Sequence, residues 1–153
     1  MSVKWVVVAD STRARIFQAA ENSESLTEVE DFHNPAARME EQELRNAAKG
    51  HFFGSPEGSP GHSAEPRTSS LEHSVAVFSK VIADYLLKAH QENRFGSLAL
   101  VADPDFLGHL RSHMPTMLKH TVTQDLNKDL ADWSVSELQT YLKIHLQQGS
   151  RPV

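Results

Sequence analysis

The chain contains no cysteine. That excludes a disulfide scaffold, a thiolate nucleophile and any zinc site built on cysteine ligands. Long apolar runs are missing too. The opening run, Trp5 to Ala9, falls far short of the ~20 residues that cross a bilayer. It is also too short for the apolar region of a secretory signal, so no leader and no membrane partner are expected, and the protein reads as cytoplasmic. Positive charge is scarce: 15 Lys and Arg stand against 20 Asp and Glu, a net charge of -5. Sequence-blind coating of nucleic acid rests on neutralising phosphates, so DNA is not expected as a partner, although a local basic patch remains open for RNA. Glycine and proline number only seven each, yet four of those glycines and three of those prolines crowd into residues 50–66, GHFFGSPEGSPGHSAEP. A stretch of that composition reads as neither helix nor interior strand.

What is present has an ordinary globular balance, and 153 residues suit a single domain with a full core, spanning 1–153. Lys4 to Ala9 is a near-continuous apolar run, the pattern of a central strand covered on both faces. Asp10 to Arg13 supplies a tight turn, so a second strand, Arg15 to Ala20, runs antiparallel to the first. Leu26 to Phe32 predicts a third, more exposed strand that ends at Asn34-Pro35. A long Gly/Pro-rich loop follows at about 34–67, within which residues 36–49 allow a short helix. Ser69 and Glu72 have capping-box spacing, and Leu71, Val75, Phe78, Ile82, Tyr85, Leu86 and Ala89 recur at helical period to near Asn93. Leu98 to Ala102 is a buried strand. Asp103-Pro104 sets an N-cap before a short helix carrying Phe106, Leu107 and Leu110. Met117 to Thr123 reads as the fifth strand, and Ser134 with Glu137 caps a C-terminal helix.

Two hairpins followed by right-handed crossovers restrict the topology strongly. The simplest arrangement is an α/β domain of three layers: a five-stranded mixed sheet, order 3-2-1-4-5, with helices on both faces, which resembles the ribonuclease H-like arrangement. The C-terminal ends of strands 1, 3, 4 and 5 then share one edge with the start of strand 2, the edge that ligands favour in open α/β sheets. Asp10, Asp103, Glu72 and His73, Arg13 and Arg15, and Asp125, Asn127 and Lys128 are all placed there. The glycine-rich segment leaves strand 3 at the same edge.

Three chemistries compete for that rim. Asp10, Glu72, Asp103 and Asp125 or Asp129 have the composition of a two-metal nuclease, which clamps the attacking and leaving oxygens of a phosphodiester. Each also has a plain structural use, in a turn, a cap or a capping box. His109 and His113 are four apart on one helix face, and His51, His62 and His73 flank the glycine-rich segment; zinc would need further ligands, so no metal site is assigned. The third chemistry is anion or RNA contact, by backbone N–H groups at the glycines and by Arg13, Arg15, Arg38, Arg45, Lys49 and Arg67. The binding candidates are therefore Arg13, Arg15, Gly58, Gly61, His62 and Lys128. The catalytic candidates, for a metal-dependent nuclease or for a hydrolase of an RNA-linked ester, are Asp10, Asp103, Glu72 and His62. No cofactor is implied beyond the divalent metal of the nuclease alternative. A different class of function is an interaction protein, in which strand 3 or Phe52 and Phe53 pairs with another chain as a homodimer.

Several segments together resemble a known family: WVVVADSTRARIF, FHNPAARMEEQEL, GHSAEP, LVADPDFLGHLR and KDLADWSVSELQTYL. In this order they are similar to the bacterial host attachment proteins, described as required for attachment to host cells. That family in turn resembles the central domain of archaeal and eukaryotic peptide-chain release factors. There a Gly-Gly-Gln loop between a strand and a long helix directs water onto peptidyl-tRNA. This chain has Gly58-Ser59-Pro60-Gly61-His62 at the corresponding place, and Gln42 lies well upstream. The resemblance thus implies RNA or ribosome contact without that hydrolysis, by a protein that is not an enzyme.

Overall fold

The opening run becomes β1, Lys4–Ala9, buried along nearly its whole length. Asp10 to Thr12 turn the chain into β2, Arg13–Ala19, antiparallel to β1. β3, Leu26–His33, pairs antiparallel with β2 and shows mostly exposed side chains. β4, Ser97–Ala102, lies parallel to β1 on its other side, and β5, Val122–Leu126, lies parallel to β4. The sheet order is β3-β2-β1-β4-β5, as the hairpins and crossovers require. The computed structural model describes residues 3–20, 25–50 and 60–149, with the side chains of 40, 41, 45, 47–50, 60–69 and 147–149 outside that description.

Helices cover both faces. On one face Trp5, Val7, Ile16, Leu98 and Leu100 meet Val75, Phe78, Ile82 and Leu86 of α2 (Pro60–Gln91), together with α3 (Pro104–Ser112) and α4 (Thr116–Lys119). On the other, Val6, Val8, Phe17 and Val101 meet Leu138, Leu142 and Leu146 of α5 (Val135–Gly149). Side chains alternate along each strand, so one β1 sequence feeds two cores. α2 stops cleanly because Asn93 takes a left-handed φ of 62°, which asparagine tolerates better than most residues. Arg94 N–H then bonds Ala89 O and Asn93 N–H bonds His90 O, each at 2.9 Å, which satisfies the last carbonyls. The cap at Ser134 forms as its spacing predicts: Glu137 N–H bonds the Ser134 hydroxyl at 3.1 Å, and Ser134 N–H bonds the Glu137 carboxylate at 3.0 Å.

Three sequence expectations need correction. Residues 34–67 are not one loop: Pro35–Gly50 forms helix α1, and α2 already begins at Pro60. Proline suits a first helical position, where its missing N–H has no partner to lose. Ser69 and Glu72 consequently lie inside α2, away from its start. The fifth strand begins at Val122 instead of Met117, because Pro115 opens the short helix α4, which buries Leu118 and leaves Met117 at 49% exposure.

Candidate functional site

Parallel pairing sets Ala9 level with Ala102, so the next residues, Asp10 and Asp103, emerge side by side at one sheet edge. Both carboxylates hold backbone. Asp10 Oδ1 accepts hydrogen bonds from Thr12 N–H, the Thr12 hydroxyl and Arg13 N–H, each at 2.9 Å, and so shapes the β1–β2 turn. Asp103 caps α3: its Oδ2 accepts from Phe106 N–H at 3.2 Å, with Pro104 following. A third carboxylate joins them from the β5–α5 connection. Partial burial, followed by the charges of Asp10 and Asp103, pushes Asp129 above the ordinary carboxylate value; Asp132 adds to the rise, and a hydrogen bond with the Ala131 backbone opposes it. The charges of Asp10 and Asp103 therefore reach Asp129 from the sheet edge.

The other rim candidates are arranged differently. Glu72 is exposed on α2, and among the described residues no three His, Asp or Glu side chains are placed to hold a metal ion. Asp125 lies within β5 and pairs with Arg111. Arg13 grips Asp31 with two bonds, Nε to Oδ1 at 3.0 Å and Nη2 to Oδ2 at 2.8 Å. That pair holds Asp31 below its usual value and raises Arg13. Arg15 is buried at 5% exposure. Its Nη1 donates to Ala131 O at 3.1 Å and to Trp133 O at 2.6 Å, its Nε lies 3.5 Å from Glu28, and the guanidinium rests over the Phe17 ring. Lys128 is exposed beside Asp129. Gly61 and His62 belong to the first turn of α2, with their side chains outside the description, and Gly58, His51, Phe52 and Phe53 lie outside the described residues. His109 and His113 join no metal-holding group among the described residues; the His113 backbone ends α3.

The structure also shows a feature that the acids and arginines do not announce. Beside the rim, where β3 runs into α1, the Asn34 side chain donates to Ser11 O at 3.0 Å and to Ser74 O at 3.4 Å, which pins this corner to α2. An apolar groove of about 400 Å³ opens there, walled by Phe32, Ala36, His73, Val77, Phe78 and Val81. Val77 and Val81 are 48% and 46% exposed. Their signal was present in the sequence: both fall off the helical stripe that builds the core. Arg15's interior role was signalled as well, since it shares a strand face with Phe17.

The molecule is thus a three-layer α/β domain with an acidic rim fixed by its own backbone and an apolar groove beside it. The family model for proteins required for attachment to host cells matches residues 5–142, and the chain belongs to that family. No curated protein matches the chain. Among the described residues no helix is long and apolar enough to cross a membrane.

Proposed function

We propose that this host attachment family member acts in the cytoplasm by binding, and that the α1–α2 arm is its contact element, with RNA or the ribosome as partner. The observation that carries the reading is where the arm begins and how open it is. β3 ends at the edge that holds Asp10 and Asp103, and the chain passes directly into α1. Beyond Ala37 the described side chains of α1 are all exposed: Arg38, Met39, Gln42, Glu43, Leu44 and Asn46. A helix with so little buried surface draws few contacts from its own domain and presents its side chains outward. The resemblance to the release-factor central domain, where the segment between a strand and a long helix enters the ribosome, supports the same partner. The contact proposed here is carried by α1; Arg13 and Arg15 hold partners within the domain.

The test is co-sedimentation. Wild-type protein is expected to travel with ribosomes at low salt and to be released as salt rises. Arg38→Glu combined with Leu44→Ser should weaken binding by about tenfold, the scale of one interface anchor. Wild-type protein that never co-sediments at low salt would end this reading.

A further inference from the structure

We infer that the outer side of α5 is a docking groove for a proline-rich peptide that carries arginine. It rests on residues that the ribosome reading does not use. α5 buries Leu138, Leu142 and Leu146 against the sheet. Trp133 stands just before the helix, and Glu137, Thr140 and Ile144 follow it at steps of four, three and four residues, so they share a second side. With Ser136 and Tyr141 they line a groove of about 400 Å³. Ile144 is 51% exposed, and Trp133 and Tyr141 are half-buried. The groove is held in shape by the domain itself. Arg15 Nη1 donates to Trp133 O at 2.6 Å, Trp133 N–H bonds Leu130 O at 3.1 Å, and the Ser134–Glu137 capping box fixes the turn that follows. The Trp133 and Tyr141 rings meet edge to face at 5.4 Å and 78°, and His145 stacks on Tyr141 at 3.9 Å. Rings fixed in this way lose little further freedom when a partner lies on them.

Length and charge choose the occupant. From Ser136 to Ile144 the helix rises about 12 Å. A polyproline II segment rises ~3.1 Å per residue, so about four residues, one Pro-x-x-Pro unit, cover the same span. Aromatic-lined grooves take such segments because the rings pack on proline while the peptide backbone stays solvated. A partner helix would find little to bury, since Ser136, Glu137 and Thr140 stand among Trp133, Tyr141 and Ile144. The sole charge among these six side chains is negative. Glu137 uses Oε1 to accept from Ser134 N–H, and no cation among the described residues pairs with it. Its second oxygen is therefore open to an arginine of the peptide.

Fluorescence anisotropy tests this with a labelled synthetic peptide of two Pro-x-x-Pro units and an arginine at one end. Wild type is expected to bind it with a dissociation constant of about 10–100 μM, the range of a short linear contact. Trp5 is only 1% exposed, so a change in tryptophan emission on adding unlabelled peptide reports Trp133. Ile144→Glu should weaken binding by about tenfold, while Met117→Glu, at 49% exposure on α4, should leave it unchanged. Glu137→Gln keeps the capping box, because glutamine serves at that position too. It should bind peptides with and without arginine alike, whereas wild type should prefer the arginine peptide about threefold. No saturation up to about 1 mM peptide overturns the proposal. So does equal binding of a peptide with glycine in place of every proline, or binding indifferent to Ile144→Glu. A wild-type dimer that Ile144→Glu splits would give the groove to a second copy, and would overturn it as well.

Discussion

The acidic rim and the outer face of α2 lie close together and invite opposite misreadings. The rim looks functional by composition, yet Asp10 and Asp103 each hold backbone N–H groups in place. The α2 face looks like spare core by composition, yet Val77 and Val81 stand about half in solvent. The difference teaches that a polar residue is informative by what it leaves unsatisfied, and an apolar residue by what leaves it uncovered. At the rim the polar groups have found partners within the chain. On α2 the apolar groups have not.

Substitutions at three rim positions can break or sharpen this contrast. The largest effect is expected from Arg15→Ala, which strips hydrogen bonds from the Ala131 and Trp133 carbonyls and removes the partner of Glu28. Leaving buried acceptors unpaired should lower unfolding stability by about 3 kcal/mol, read from the shift in urea midpoint. A loss below about 0.5 kcal/mol would mean that Arg15 is free for a ligand after all. Next comes Asp103. Alanine should cost about 1 kcal/mol through the lost cap, while asparagine, which also caps, should cost little. If asparagine abolished binding or activity at unchanged stability, the charge would have a use beyond the cap.

The smallest effect is a gain. Asp129 has its folded carboxyl raised, so the folded protein holds that proton more tightly than the unfolded chain does. The ionised form therefore lowers stability at neutral pH, and that penalty fades as pH falls through the raised folded value toward the ordinary carboxylate value. Asp129 is largely exposed and water screens the repulsion, so Asp129→Asn should stabilise only slightly at pH 7, with the gain shrinking under acid, as parallel urea titrations would show. No gain at pH 7 would place Asp129 away from Asp10 and Asp103.

Much of the architecture was legible from short signals. The turn at Asp10 to Arg13, the Asp103-Pro104 cap and the apolar runs at Trp5 and Leu98 set the strand order, because each is a local cue with one geometric outcome. The signals failed where local pattern and packing diverge. MLKHTVT has strand-like composition, but Pro115 redirects the chain and one helical turn buries Leu118 first. Glycine and proline around residue 60 read as a helix breaker, yet proline at a first helical position costs nothing. At the site, the approach of Asp10 to Asp103 followed from the topology. The commitment of Arg13 to Asp31 and of Arg15 to two carbonyls did not, because such pairings depend on side chains distant in sequence, as Arg15 and Trp133 show at a separation of 118 residues.

β1 occupies the middle of the sheet, between β2 and β4. The first strand made during synthesis is thus the one that waits longest for its neighbour, since β4 closes its second side only at Ser97–Ala102. Until then a nascent chain carries an apolar ribbon with an open hydrogen-bonding edge, a ready template for pairing with other chains. The partner for that edge is reached only after α1 and α2 have been laid down.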